Sequence, residues 1–157
     1  MKKNIIVALA AAALVIACSS GGAGSLRGDM MKAMSDMARS EGDTQRTVTF
    51  HPNKGADAYT LILFPERRVY ESELIGRGVD EQVAKRIFRD LARYGVGEKE
   101  RPMMVIAQPG KPPTAASYYG RDIVYIDNLM IVKKKDGADT QLTLVKRGDT
   151  YYITDAR

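Results

Sequence analysis

The chain has 157 residues, a formal net charge of +5, one cysteine and one histidine. This length fits a single domain with its own apolar core. So small a charge surplus excludes the concentrated basic surface of a nucleic-acid-binding protein. A chain with one cysteine cannot form an intramolecular disulfide. One cysteine and one histidine together cannot supply the ligands of the usual zinc sites.

The first 17 residues have the pattern of a secretory signal peptide. Lys2 and Lys3 precede an apolar run that ends at Ala17. A charged start, a short apolar stretch and a small residue before the cut are typical of such signals. The run is shorter than the roughly 20 residues that span a bilayer. We therefore expect residues 1–17 to be removed, which lowers the net charge to +3 because Lys2 and Lys3 are lost.

The sequence Val15-Ile16-Ala17-Cys18 closely resembles the lipobox of bacterial lipoproteins. This resemblance implies cleavage before Cys18, acylation of its sulfur and amino group, and the lipid bilayer as a partner. Several acyl chains hold a protein firmly, since each buried CH₂ contributes about 0.8 kcal/mol. Ser19 after the cysteine, rather than Asp, is similar to the lipoprotein signal for export to an outer membrane. We expect a cell-envelope protein anchored in that membrane, on a face that the sequence leaves open.

Residues 18–28 form the predicted tether, and residues 29–157 form a single predicted domain. The segment 19–25 contains only Ser, Gly and Ala. This composition is typical of a flexible coil, and seven such residues span on the order of 15 Å. The domain is therefore expected to stay close to the membrane.

A short N-terminal helix is predicted over residues 29–41. One face at helical spacing is formed by Met30, Met31, Met34, Met37 and Ala38. Asp29 is suited to cap the start of this helix, and Gly42 is suited to end it. The methionine stripe favours packing on the domain over an adaptable docking surface.

The centre of the chain contains strand patterns and one strong helix pattern. The helix is predicted over residues 80–94, because Val83, Ile87 and Leu91 line one side of it. Asp80 is a good N-cap, and Glu81 can pair with Lys85 one turn later. Strands are predicted over Thr47–Phe50, Ala58–Phe64, Arg68–Glu71 and Met103–Ala107.

The last third of the chain has mainly strand patterns. Residues 123–132 favour strand, with a break at Asp127-Asn128, and Asp136-Gly137 is typical of a hairpin turn. A final hairpin is predicted from Leu142–Lys146 and Thr150–Thr154 around Gly148-Asp149. Its more polar face carries Thr143, Val145, Tyr152 and Thr154. The fold class is therefore α+β: a mainly antiparallel sheet with one well-formed amphipathic helix mid-chain and a short N-terminal helix.

The predicted connection over residues 108–122 is the candidate partner-binding segment. Its first half contains three Pro and one Gly, and its second half contains Tyr118, Tyr119 and Arg121. Loops on a rigid scaffold often carry binding residues, and Tyr and Arg are enriched at interface hot spots. The alternative is a plain connection whose tyrosines cover the sheet.

Catalytic and metal-binding patterns are weak in this sequence, and no cofactor or metal is expected. His51 stands beside no recognisable nucleophile motif, which favours a solvated loop residue. Asp136-Gly137-Ala138-Asp139 lacks the spacing of a calcium loop. Gly76-Arg77-Gly78 lacks the lysine and hydroxyl residue of a phosphate-binding loop. Glu71 and Glu73, expected on one strand face, are the carboxylates available to a hydrolase.

Two further patterns suggest contacts at the surface. Arg27-Gly28-Asp29 and Arg147-Gly148-Asp149 have the tripeptide of adhesive proteins, although each has a local structural explanation. Residues 133–135 are lysines, expected near Lys146 and Arg147 across a hairpin. Such lysines either contact anionic lipid or polysaccharide, or protect a sheet edge from pairing.

The sequence predicts a non-enzymatic lipoprotein that binds another envelope protein or component. This function needs an anchor, a tether and a surface, and the chain shows a pattern for each. A small envelope hydrolase and an adhesin that uses the Arg147-Gly148-Asp149 hairpin are the alternatives. The oligomeric state is left open.

Overall fold

The computed structural model describes residues 26–52, 57–93, 104–116 and 124–157. These residues form three helices and eight strands, which confirms the predicted α+β class with mainly antiparallel pairing. In chain order the elements are α1 (Leu26–Ala38), β1 (Thr44–Phe50), β2 (Ala58–Leu63), α2 (Glu71–Gly76), α3 (Glu81–Arg93), β3 (Met104–Ala107), β4 (Thr114–Ala116), β5 (Val124–Ile126), β6 (Met130–Lys135), β7 (Thr140–Arg147) and β8 (Thr150–Ala156).

The strands form two four-stranded sheets. The first sheet has the strand order β1-β7-β8-β5, and the second has the order β4-β3-β2-β6. Among the described strands, only the pairing of β5 with β8 is parallel. In the first sheet, β1 pairs with β7 from Thr44 opposite Lys146 to Phe50 opposite Thr140. Two distant parts of the chain therefore build one sheet.

The larger core lies between the two sheets and includes α1. Met30, Met34 and Met37 are at most 5% exposed, which confirms that these members of the predicted stripe pack on the domain, whereas Met31 is 39% exposed and Ala38 is also exposed. The strands supply the other buried side chains of this core, which are Val48, Phe50, Tyr59, Leu61, Leu63, Met104, Val124, Ile126, Leu142, Leu144 and Ile153.

A second core lies on the opposite face of the second sheet. Successive side chains of a strand point to opposite faces, so Leu61 and Leu63 enter the first core while Ile62 enters the second. Helices α2 and α3 cover this face with Leu74, Ala84 and Ile87. The second sheet is thus the middle of three layers, with the first sheet on one side and the helices on the other.

The N-terminal helix begins earlier than predicted. Because α1 starts at Leu26, Asp29 lies within its first turn and does not cap it. A carboxylate is favourable at either position, because both lie near the positive end of the helix dipole. The N-terminal end of the predicted tether, residues 18–25, lies outside the described residues, whereas residues 26–28 belong to the helix.

The mid-chain helix is confirmed together with its cap. Asp80 Oδ1 accepts hydrogen bonds from the N–H groups of Gln82 at 2.9 Å and Val83 at 3.1 Å. Lys85 also donates to the carboxylate of Glu81, one turn away, as predicted. Local signals therefore define this element fully.

The strand predicted over Arg68–Glu71 is wrong. Residues 68–70 pair with no described strand, and α2 begins at Glu71. The N–H group of Tyr70 donates to Glu73 Oε1 at 3.3 Å, which satisfies a donor at the start of the helix. Burial of Leu74 in the second core then outweighs the strand preference of Val69 and Tyr70.

The hairpin predicted around Asp136-Gly137 is also wrong, although the turn itself forms. Asp136 and Gly137 both have left-handed φ angles of 54° and 63°, as in the two-residue turns that usually join hairpins. However, β6 pairs with β2, whereas β7 pairs with β1 and β8. The turn therefore carries the chain from the second sheet to the first. The hydroxyl of Tyr59 stabilises the connection between β6 and β7 through hydrogen bonds to the Ala138 carbonyl and the Thr140 hydroxyl.

The final hairpin is confirmed with one irregularity. Gly148 has a φ of 58°, as the first position of the predicted turn requires. Leu144 lies opposite Ile153, but Thr143 lies opposite Asp155, so Thr154 forms a bulge. The bulge returns Ala156 to the core side, opposite Leu142.

Candidate binding face

The residues that the sequence assigns to anchoring and partner binding lie outside the described residues. These are Cys18, Tyr118, Tyr119 and Arg121. Tyr118, Tyr119 and Arg121 fall between two described residues, Ala116 at the end of β4 and Val124 at the start of β5. The connection predicted over 108–122 thus contains strand β4 and joins an edge of the second sheet to an edge of the first.

The first sheet has one face in the core and one face turned away from it. We call the second the outer face. Strand alternation places its side chains between the buried ones. They are Gln45, Thr47, Thr49, Tyr125, Gln141, Thr143, Val145, Arg147, Thr150, Tyr152 and Asp155. Each of them is exposed or half-buried.

Pairing aligns these residues in rows across the sheet. One row crosses all four strands, since Gln45 lies opposite Val145, Val145 opposite Tyr152, and Tyr152 opposite Tyr125. A neighbouring row runs from Thr47 to Thr143 and then to Asp155. At a strand spacing of about 4.8 Å, the face is roughly 14 Å wide between its outer strands.

Aromatic contacts occupy one end of the outer face. The ring centroids of Tyr125 and Tyr152 lie 5.7 Å apart, with 33° between the ring planes. The guanidinium of Arg147 lies 5.1 Å from the centroid of the Tyr152 ring. Neighbouring aromatic pairs and cation–π contacts of this kind hold side chains in fixed positions. The face therefore presents a preorganised group of two phenols and one guanidinium.

Sequence reasoning identified only part of the outer face. It predicted that Thr143, Val145, Tyr152 and Thr154 share a polar side of the final hairpin. The register confirms this for the first three, whereas Thr154 lies in the bulge and Asp155 takes the position opposite Thr143. It did not identify Gln45 or Tyr125, because these join the face through pairing with distant strands. The only local signal for them was alternation within short strands, which does not identify a partner strand.

The two adhesive tripeptides have different positions. The first lies within helix α1, and the second lies at the β7–β8 turn. In the second, Arg147 contacts Tyr152, while the N–H group of Gly148 donates to Asp43 Oδ1 at 3.3 Å. The arginine of this hairpin is thus part of the outer face.

The candidate hydrolase carboxylates do not share a strand face, so that prediction is wrong. Glu71 and Glu73 lie two residues apart in helix α2, a spacing that places side chains on different sides of a helix. Nη1 and Nη2 of Arg67 donate hydrogen bonds to the Glu73 carboxylate, at 3.0 Å and 2.7 Å. This pairing lowers the pKa of Glu73 to about 2. Glu73 therefore stays ionised at neutral pH and is unsuited to be a general acid.

His51 contacts a carboxylate, which the sequence did not indicate. Its Nδ1 lies 2.8 Å from Asp139 Oδ1, and both side chains are about half exposed. The contact joins the end of β1 to the segment that precedes β7. In the described residues, no group of three or more His, Cys, Asp and Glu side chains forms a potential metal site.

The lysines of residues 133–135 lie on β6, an edge strand of the second sheet. This position agrees with protection of an edge against pairing. The expected cluster with Lys146 is wrong, because β6 and β7 belong to different sheets. Lys146 is buried and donates to the Ser40 carbonyl at 2.9 Å. Lys133 donates to the carbonyl of Gly78.

The residues Gly76-Arg77-Gly78 connect the helical layer to the second sheet. Arg77 donates to the Leu129 carbonyl at 2.6 Å. Gly78 has a left-handed φ of 83°, and its carbonyl accepts from Lys133. These contacts give the segment a structural explanation that needs no phosphate.

None of the described helices has the length and apolar character needed to cross a membrane. No family model matches the chain, and no curated protein or solved structure shows significant similarity to it.

Proposed function

We propose that this chain is a bacterial envelope lipoprotein, anchored through acylated Cys18, that acts as a non-enzymatic binding module. The outer face of the first sheet is the binding surface on which the proposal depends. It is broad, open and rigidly supported, because the opposite side of the same strands is packed in the larger core. Rigid sheets with exposed polar and aromatic side chains suit recognition of a ligand without chemical change.

The anchor and the face are compatible with one another. The resemblance of residues 15–18 to a lipobox supports attachment to the membrane, and Ser19 supports the outer membrane as its location. Helix α1 begins at Leu26, only eight residues after Cys18. A tether this short keeps the domain within a few nanometres of the lipid. The ligand would therefore be another component of the envelope.

The described geometry favours binding over hydrolysis. Arg67 engages Glu73 and lowers its pKa. Glu71 lies elsewhere on the helix surface. The carboxylates named as hydrolase candidates therefore do not form a pair across a cleft, as glycoside hydrolysis requires.

Photo-crosslinking in intact cells tests this function. A benzophenone side chain would replace Gln141, an exposed residue of the outer face, or Gln82, an exposed glutamine on α3. We expect an envelope adduct from position 141 and little from position 82. Absence of an adduct at 141 in cells where the protein is abundant would refute the proposal, as would equal adducts at both positions.

A further inference from the structure

We infer that the C-terminal half of helix α3 docks on the anionic lipid headgroups of the membrane. This inference rests on the proposed anchor and specifies how the domain is oriented above the lipid. The contact is made by Arg86, Arg89 and Arg93, which we call the arginine surface. Arg89 and Arg93 are exposed and Arg86 is half-buried, while Ile87 packs into the second core. The arginine surface therefore lies on the solvent side of the helical layer.

The guanidinium groups of the arginine surface have no opposite charge beside them. No hydrogen bond or ion pair joins these three side chains to another described residue. Lys85, by contrast, is paired with Glu81. Arg86 and Arg89 are three residues apart, and Arg89 and Arg93 are four apart, so that like charges are neighbours on the helix surface. Such neighbours destabilise a helix slightly, and an anionic surface in contact with them would offset their repulsion.

The charge of α3 changes sign along its length. Asp80 caps the first turn, and Glu81 follows it. Residues 86–93 contain three arginines and one acid, Asp90, and therefore carry a net charge of +2. The helix dipole favours cations in the last turn, but Arg86 lies about two turns before the end. An anionic surface would attract the C-terminal half of α3 and repel its N-terminal end.

The proposed anchor selects the membrane as the occupant of the arginine surface. Arginine binds phosphate through two parallel hydrogen bonds, and phosphate is the charged group of anionic phospholipids. Helix α1 begins at Leu26, eight residues after Cys18, so the anchor holds the lipid beside the domain. A weak contact is then sufficient, because tethering raises the effective concentration of the second contact. An acidic protein in solution would bind without this advantage.

The layers of the fold permit this orientation. Helix α3 belongs to the layer farthest from the first sheet, and α1 packs in the core between the two sheets. The second sheet and the helical layer are together roughly 20 Å thick, whereas eight extended residues reach about 26–29 Å. The tether can therefore pass the helical layer while the arginine surface rests on lipid. The outer face of the first sheet would then point away from the membrane.

A fluorescent dye on a single introduced cysteine tests the inference. Cys18 is the one cysteine of the chain and is occupied by the proposed acylation, so an introduced cysteine is the only free thiol. Nitrobenzoxadiazole, whose emission shifts to the blue in lipid, is attached after Ala92→Cys, Gln82→Cys or Gln141→Cys, all at exposed positions. The lipidated chain is reconstituted in vesicles of phosphatidylcholine alone or with roughly one quarter phosphatidylglycerol, an anionic lipid.

Position 92 lies beside the arginine surface and should respond to anionic lipid. We expect its emission to shift to the blue in the anionic vesicles and to stay unchanged in the neutral ones. Salt at ~0.5 M should reverse the shift, because it screens exposed charges. Position 82 should not respond, since it lies about 15 Å back along the helix, at the acidic end. Position 141 should not respond either, because it lies on the outer face.

Charge variants locate the contact. Each arginine near an anionic surface should raise the docked population about fivefold, so Arg89→Gln combined with Arg93→Gln should lower it about 25-fold. Arg147→Gln combined with Arg157→Gln is the matched control. It removes the same charge from exposed side chains of the first sheet and should dock as the unaltered chain does. Asp90→Asn should dock more strongly, and circular dichroism checks that each variant folds.

Three results would overturn the inference. They are an absent shift at position 92 in anionic vesicles, a shift of equal size at position 141, and a shift that also occurs in neutral vesicles. A response to soluble polyglutamate without a response to anionic vesicles would assign the arginine surface to an acidic chain and exclude lipid.

Flotation with the neutral vesicles reports the anchor alone and separates the two proposals. If the chain floats with these vesicles while position 92 stays silent in anionic ones, docking through α3 is refuted and the anchor stands. If the chain does not float, the anchor fails, and the proposed function and the docking of α3 fail with it.

Discussion

Glu73 illustrates at the residue scale how a sequence pattern acquires its meaning from its contacts. In the sequence it stands near Glu71 as one of two carboxylates. In the fold it binds Arg67 through both oxygens and accepts a hydrogen bond from the N–H group of Tyr70. Arg68 lies 5.2 Å from the centroid of the Tyr70 ring. These contacts hold the start of α2 in place, so the Glu73 carboxylate has a structural role.

The lowered pKa of Glu73 predicts a pH dependence of stability. Its pKa falls from 4.5 to about 2 because of the hydrogen bonds from Arg67. In the unfolded chain the Glu73 carboxylate takes up a proton near pH 4.5, whereas in the folded chain it does so near pH 2. The stabilisation of the folded state by the Arg67–Glu73 pair is therefore complete above pH 4.5 and is lost as the pH falls towards 2. Urea unfolding of the unaltered chain and of Glu73→Gln should show a stability difference that shrinks over this interval.

The arginine partner supplies the control for this experiment. Arg67→Gln should reduce the pH dependence as Glu73→Gln does, since either change removes the pair. Added salt should reduce the difference near neutral pH, because both side chains are partly exposed and screened. A difference that stays constant from pH 7 to pH 2.5 would contradict the assignment.

At the element scale, the sequence predicts those elements whose signals are local. Helix α3 carries its cap, its charge pair and its apolar stripe within one segment, and all of them are confirmed. The turn at Asp136-Gly137 was also predicted, but its strands were assigned to one hairpin. Turn chemistry determines the local bend, whereas burial of β6 and β7 against different strands determines their sheets.

The outer face, too, was predictable only where its signals are local. The final hairpin contributes a row whose alternation is visible in the sequence. Gln45 and Tyr125 come from strands that pair across long separations, which single-sequence patterns do not specify. The earlier candidates Tyr118, Tyr119 and Arg121 lie outside the described residues, so their role stays a prediction.

The cap of α3 gives the prediction at this scale. Asp80→Ala removes the acceptor of the Gln82 and Val83 N–H groups and should cost about 1 kcal/mol of unfolding free energy. Asp80→Asn is the matched control, because asparagine caps about as well. Chemical denaturation of the three proteins measures the effect. Equal losses for both variants would show that charge, and not capping, determines the stabilisation.

At the scale of the whole molecule, three layers separate a stabilising side from an open one. Helices α2 and α3 cover the second sheet, and the first sheet leaves its outer face uncovered by the larger core. Helix α1 packs its methionines into that core. The proposed anchor would thus hold a preformed domain near the membrane, with a ligand surface already in place.

The proposed anchor predicts the behaviour of the whole chain in cells. Cys18→Ala should abolish labelling by radioactive palmitate and leave a soluble or uncleaved form, because no other cysteine is present. Ser20→Ala is the control and should be labelled as the unaltered chain is. Labelling and membrane fractionation measure both properties. Persistent labelling of Cys18→Ala would contradict acylation at this position.

The pairing of β1 with β7 has a consequence for biogenesis. Thr44 and Lys146 face one another across a separation of about a hundred residues. Contacts between such distant segments form slowly, because a long loop must close before they contribute. The first sheet cannot assemble until nearly the whole chain has been synthesised. This order of events is compatible with the export proposed above, because a secretion channel threads chains whose fold is not yet complete.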